Sequence, residues 1–317
     1  MKKEIGIFIL LISLCAVTAA VNPRFLSPTN LTNMANIIGM FGIFSIGLGL
    51  VIIAGGIDLS VGSMFALAGV LLAMCLVNWA FPWPLAAAVA ILIPTIFGIA
   101  HGWLITRMNM QPFIVTLCGL LLYRGLARFI AGDATKGFGN AEGFETLRTL
   151  ATGRCFGVPM PFILLIIVAV IMWFVLHRSV YGRYLLAVGR NEEAARFSGI
   201  NTRLVIASTY VVAGVLTGIS GILFAFYTNS ISPSNHGNFY ELYGIAAAVL
   251  GGCSLRGGEG SIVGIVIGTA LLQVLQNLVN LLGIPSSLNF AVMGAVVLVG
   301  VLTDQLLRQR AKNRKHN

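Results

Sequence analysis

Runs of about twenty apolar residues recur along the whole chain, each closed by a short polar stretch. That length suits a helix crossing a hydrocarbon layer of about 30 Å at about 1.5 Å per residue. The pattern predicts ten spans, near residues 5–21, 34–54, 60–78, 84–105, 112–130, 160–176, 204–226, 241–253, 261–281 and 288–306. Two places depart from this regularity. The apolar tract from Met34 to Val77 is broken only around Asp58, and the run after Glu241 is short for a full crossing. Either can be a half-helix or re-entrant segment, which is tolerated where protein rather than lipid surrounds the backbone. The expected fold is therefore an all-α polytopic membrane protein of about ten transmembrane helices in one domain, 1–317.

The polar residues between the runs orient them. If the amino terminus is cytoplasmic, the inner side receives Lys2, Lys3, Arg107, the five arginines from Arg178 to Arg203, Arg256 and five cations in the tail after Asp304. The outer side receives Arg24, Lys136, Arg148 and Arg154. Fourteen against four satisfies the positive-inside rule and puts both termini in the cytoplasm. Arg124 and Arg128, spaced i,i+4 near the outer end of their span, are expected to snorkel to the interface, with a place in a solute path as the alternative. The basic tail, 307–317, reads as a topology anchor beside anionic lipid. The longest outer loop, Ala131 to Pro159, is too short for a separate domain and is either a docking surface or a plain Gly-rich loop.

Composition agrees: 57% of residues are hydrophobic and mean hydropathy is +0.93. The net charge of +10 comes with no nucleic-acid-binding motif, so topology explains it better than nucleic acid does. Cys15, Cys75, Cys118, Cys155 and Cys253 show no metal-ligand spacing, so neither a disulfide framework nor a metal site is expected. Residues 1–20 could be a cleavable signal peptide; retention as the first helix fits the later spans better.

No catalytic signature is present. His101, His177, His236 and His316 are isolated, and no serine sits in a G-x-S-x-G elbow. The Gly-rich run Gly251 to Gly260 lacks the lysine of a phosphate-cradling loop, so if ATP powers the protein another chain binds it. No cofactor is implied.

Four features remain as candidates. Gln273, Gln276, Asn277 and Asn280 recur at i, i+3, i+4 and i+7, which puts four amides on one helical face. They either bond between helices, or form a dimer seam, or line a path for an uncharged hydroxyl-rich solute. Asp58, the only acid this reading sets deep between apolar runs, either caps the following helix with Ser60 or relays protons in an ion-coupled carrier. Gln111, Pro112 and Thr116 open the fifth span, where Thr116 can bond its own backbone or touch solute. The fourth is the polar island 189–201 within the loop 177–203. Asn191 can cap a short helix, Glu192 and Glu193 suit its first turn, and Gly199 can close it. A weak echo links Gly55–Gly62 to Gly251–Gly258 through a shared G-G-x-[DS]-L-x-x-G pattern, hinting at two distantly related halves.

Taken together, GGIDLSVGS from Gly55, PFIVTL from Pro112 with Arg124-Gly125-Leu126, AVGRNEEAARFSGI from Ala187, AAAVLGGCSLRGGEG from Ala246 and NLVNLLG from Asn277 resemble the permease subunits of ribose- and xylose-type ABC importers. The resemblance runs from about Asn22 to Asp304. It implies a multi-pass subunit of the bacterial inner membrane that pairs with a second permease copy, rests on cytoplasmic ABC ATPase subunits and receives a monosaccharide or similar solute from an extracytoplasmic binding protein. It further implies that Asn191, Glu192, Glu193, Ala194, Ala195, Arg196, Ser198 and Gly199 form the coupling helix that meets the ATPase. An importer of nucleosides or of a sugar-like signalling molecule, an ion-coupled secondary carrier and a membrane scaffold remain as alternatives.

Overall fold

The computed structural model describes residues 2–139 and 141–285 together with 288, 291, 292, 294, 295 and 298. The expected last span, 288–306, and the tail 307–317 therefore lie outside the continuously described residues. Within them the chain forms twelve helices. They are α1 (Lys2–Val21), α2 (Pro28–Ile53), α3 (Val61–Ala73), α4 (Trp83–Arg107), α5 (Pro112–Ala131) and α6 (Glu145–Thr152). They continue with α7 (Met160–His177), α8 (Val180–Arg190), α9 (Glu192–Phe197), α10 (Thr202–Thr228), α11 (Tyr240–Leu250) and α12 (Ile262–Leu281). Eight of the described helices are long and apolar enough to cross a membrane, the third of them counted to Asn78 through a π turn.

The helices begin and end on residues suited to it. Ser27 accepts the Asn30 N–H with Pro28 in the first turn of α2, Ser261 accepts the Gly264 N–H at the start of α12, and Pro112 opens α5. In α2 every residue from Ile38 to Ile53 is buried, and so is every residue of α3. Both are apolar on all sides because both are wrapped by other helices, α2 by α7, α10, α11 and α12. By contrast α1 is hardly buried and packs mainly on α12 and the 3-10 turn Pro23–Leu26.

Lipid tails give helices no hydrophobic reason to associate, so close packing must supply it. The tightest pair is α4 with α10, whose backbones meet through Gly98 and Gly102 on one and Gly214 and Gly218 on the other; a Cβ on Gly102 would stand 2.8 Å from Cα of Ala207. Pro94 sits inside α4, and its carbonyl faces Gly214.

The segment 131–159 carries more order than a plain loop. It holds α6 and a two-residue hairpin, β1 (Arg154–Cys155) with β2 (Val158–Pro159), and Lys136 bridges to Ile231. The short run after Glu241 is α11, eleven residues or about 16 Å, half of a hydrocarbon layer.

Candidate functional site

Three groups of residues stand out: the helix α9, a junction of glycine loops at its root, and a buried polar centre between α3, α4, α5 and α11.

The island 189–201 folds as its capping chemistry predicts. Asn191 accepts the Ala194 N–H at 2.9 Å, Glu192 and Glu193 occupy the first turn, and Gly199 takes φ +84° while the Ile200 N–H returns to the Ala195 carbonyl. Ala195 is buried against the body, and the Glu192 carboxylate accepts the Thr202 hydroxyl at 3.1 Å, fixing α9 to the start of α10. Glu193, Ala194, Arg196, Ser198 and Gly199 all face out. So does Phe197, which is 80% exposed with the Arg196 guanidinium 5.9 Å from its ring. A large apolar ring presented among charges on an interhelical loop is a contact feature rather than a packing one.

The root of α9 is the last turn of α8. A Cβ on Gly189 would run into the Ile53 carbonyl at the end of α2 and into Gly258 in the loop before α12. Gly257 closes the same junction: at φ +82° it lies against the Gly189 carbonyl and Gly55, and the Gly258 N–H donates to the Ile53 carbonyl at 2.8 Å. The two loops noticed for their sequence echo thus touch each other and the root of α9. They also share a helix ending, one residue out of the register their sequences suggest. Gly55 (φ +87°) ends α2 as Gly252 (φ +93°) ends α11, with the following N–H of Gly56 or Cys253 reaching back to Val51 or Ala248 at 2.9 Å in each case.

Between these loops and the middle of the bundle lies the polar centre. One Asp58 oxygen accepts both the Ser60 N–H (2.9 Å) and the Ser60 hydroxyl (2.6 Å), tightening the turn into α3. The other stands 4.0 Å from Nδ1 of His101, whose Nε2 bonds the Tyr123 hydroxyl at 2.8 Å. Asp58 and His101 are each only 2% exposed. Thr116 is fully buried beside them and donates to the Pro112 carbonyl at 2.9 Å, within reach of the Ile57 carbonyl.

Two α-helical turns further along α5 the expected picture changes. Arg128 does reach outward and pairs with Asp133 at 2.6 Å on the surface. Arg124 turns inward instead. It donates to the carbonyls of Pro233 (3.1 Å), His236 (2.7 Å) and Gly62 (3.3 Å), stapling α5 to the first turn of α3 and to the 229–239 segment. Three buried carbonyls compensate a guanidinium better than snorkelling past apolar neighbours. Nor is Asp58 alone among buried acids: Glu241, in the first turn of α11, is 6% exposed and its carboxylate lies against Gly62. The amino ends of α3 and α11 therefore meet at Gly62, Gly237 and Glu241.

The amide face of α12 divides. Asn277 exchanges hydrogen bonds with Asn30 of α2 at 2.8 and 3.1 Å, so this amide is held between helices. Gln273 is buried, Gln276 half-buried and Asn280 exposed, in order along the face.

Residues 30–301 match the family described as branched-chain amino acid transport system / permease component. The chain belongs to this family. It is 38% identical to the ribose import permease of Bacillus subtilis, over 96% of this chain and 93% of that protein. It is 30% identical to the D-allose transport system permease of Escherichia coli K12 (95% and 91%) and to the autoinducer 2 import system permease of Enterobacter sp. 638 (97% and 94%). No solved structure matches it. The resemblance to carbohydrate-importer permeases that the motifs carry is thus borne out, and the chain is a multi-pass transport subunit rather than an enzyme.

In this permease the motifs found in the sequence are mostly backbone devices. GGIDLS and GGCSLRGGEG end helices and meet; the amide face is partly a helix seam. Arg124, Glu241 and His101 were visible as letters, but each lies in an apolar context from which only the tertiary contacts reveal what it holds.

Proposed function

We propose that this permease is the membrane-spanning subunit of an ATP-driven importer in the bacterial inner membrane, and that α9 is where an ATPase subunit acts on it. The observation that carries this is the pairing of a bare Phe197 on a doubly capped α9 with the glycine junction at its root. A partner that grips α9 would move the end of α8, and with it the loops that end α2 and α11. The charge count supports a cytoplasmic position for the loop 177–203, for both termini and for the tail 307–317. ATP hydrolysis then belongs to the partner. A second permease copy would complete a path between them, and an extracytoplasmic binding protein would deliver the solute.

The solute we infer is a monosaccharide or a similar uncharged polyol. Relatives named for ribose, D-allose and xylose support it, each matched over more than nine-tenths of its length, against a family description that names branched-chain amino acids. Gln273, Gln276 and Asn280 are the side chains we assign to the path, with Thr116 and Asp58 as further candidates; neutral donors and acceptors suit hydroxyls.

Co-purification with the ATPase and ATP-driven uptake in vesicles test the reading. Phe197→Asp, which alters an outward ring, is expected to cut uptake at least about tenfold with unchanged thermal stability; Glu192→Arg with Glu193→Arg should do the same. Unaltered uptake and association in both would end the coupling assignment. The Asp58–His101 pair favours a second reading, an ion-coupled carrier, which requires gradient-driven uptake by the chain alone and its loss in Asp58→Asn.

A further inference from the structure

The outward face of α4 has a feature that neither the path nor the coupling helix uses. Leu92, Ile96, Ile99 and Trp103 follow one another at helical spacing, each between 52% and 55% exposed. The next residue on that face is Arg107, at the end of the helix. An apolar stripe that finishes in a tryptophan and then an arginine follows the depth profile of one membrane leaflet, from acyl chains through the interface to the headgroups. Beside it, α10 carries Arg203 in its first turn, followed by the exposed Leu204.

Between the two helices lies a cleft of about 500 Å3, lined by Ile99, Trp103 and Val211 toward the middle of the helices and by Arg107, Asn201 and Arg203 at their ends. Neither arginine is paired with a carboxylate among the described residues. The cleft runs on, through shared Thr106, Asn201 and Arg203, into a second of about 440 Å3 beneath α9, where Arg196 adds a third cation. The one acid lining either cleft is Glu192, whose carboxylate already accepts the Thr202 hydroxyl.

We propose that this cleft is a binding site for an anionic phospholipid, with the phosphate between Arg107 and Arg203 and an acyl chain along Ile99 and Trp103. Two guanidiniums at the helix-end side of one cleft match a phosphodiester in charge and in fork geometry. The apolar continuation selects lipid over a free anion, because inorganic phosphate gains nothing from Ile99 or Val211. The site is separate from the basic tail. Since it opens under α9, an occupying headgroup would brace that helix against the ends of α4 and α10.

Native mass spectrometry of the full-length permease in neutral detergent tests this with phosphatidylglycerol, phosphatidylethanolamine of identical chains, and inorganic phosphate. Phosphatidylglycerol is expected to be retained over phosphatidylethanolamine on the order of tenfold. The preference should vanish in Arg107→Gln with Arg203→Gln. It should largely survive in Arg107→Lys with Arg203→Lys, which keeps the charges if the Gln pair fails to fold. It should be indifferent to replacing the tail cations Arg308, Arg310, Lys312, Arg314 and Lys315 by Gln. A preference that follows the tail, that persists without both arginines, that is absent from a folded Lys pair, or that millimolar phosphate abolishes, overturns the proposal.

Discussion

The glycine junction under α9 and the Arg124 staple both hold a broken helix in place, and they do it by opposite means. At the junction, Gly189, Gly55, Gly257 and Gly258 bring three backbone segments together because no side chain stands between them. At the staple, a long side chain spans the gap, donating to two carbonyls of the irregular 229–239 segment in an apolar interior and to a third in the first turn of α3. The first depends on volume alone and should be indifferent to polarity. The second depends on donor number and geometry and should tolerate small changes of shape. Substitutions that separate volume from hydrogen bonding therefore test the distinction.

The largest effect is expected at Gly189→Val. The added atoms meet the Ile53 carbonyl and the Gly258 backbone, neither of which can rotate away, so a loss of about 3 kcal/mol follows, seen as a large drop in melting temperature and in monodisperse yield. A Gly189→Val permease that melts with the parent would show that the junction is not close-packed in the membrane. Next comes Arg124→Gln, which removes the charge and most of the donors at a cost of about 2 kcal/mol. Arg124→Lys should recover only part of it, because an ammonium cannot fork across carbonyls from three places. Equal melting of the Lys variant and the parent would reduce the staple to a bare charge. The smallest effect is at the amide seam. A double-mutant cycle of Asn30→Ala with Asn277→Ala should return a coupling of about 0.6 kcal/mol, the usual scale of a polar pair between membrane helices. A coupling indistinguishable from zero would return Asn277 to the set of path candidates.

The sequence was legible where local chemistry decides the outcome. Apolar length located the helices, and Asn191, Glu192, Glu193 and Gly199 spelled out a capped α9 because capping needs only neighbours in the chain. Around Asp58 and Glu241 the hydrophobic pattern showed that something interrupts the spans, but not what meets there. Gly62 and Glu241 come together from positions far apart in the chain, and no periodicity encodes that encounter. The i,i+4 pair Arg124 and Arg128 misled for a related reason. Spacing puts both on neighbouring turns, whereas the 229–239 segment, which has no helical signature, decides that one turns in while the other reaches Asp133. The echo of the two glycine loops was half legible: the common helix ending is real, but counting identical letters set it one residue off.

Contact between bare backbones also has a mechanical character. Where side chains separate two helices, a small push on one is taken up by rotamers changing wells, and little arrives at the other. Gly189 leaves nothing of that kind between the end of α8 and the ends of α2 and the loop before α12. The joint therefore has almost no slack: a displacement of a fraction of an ångström at α8 must appear, nearly undiminished, in the other two segments.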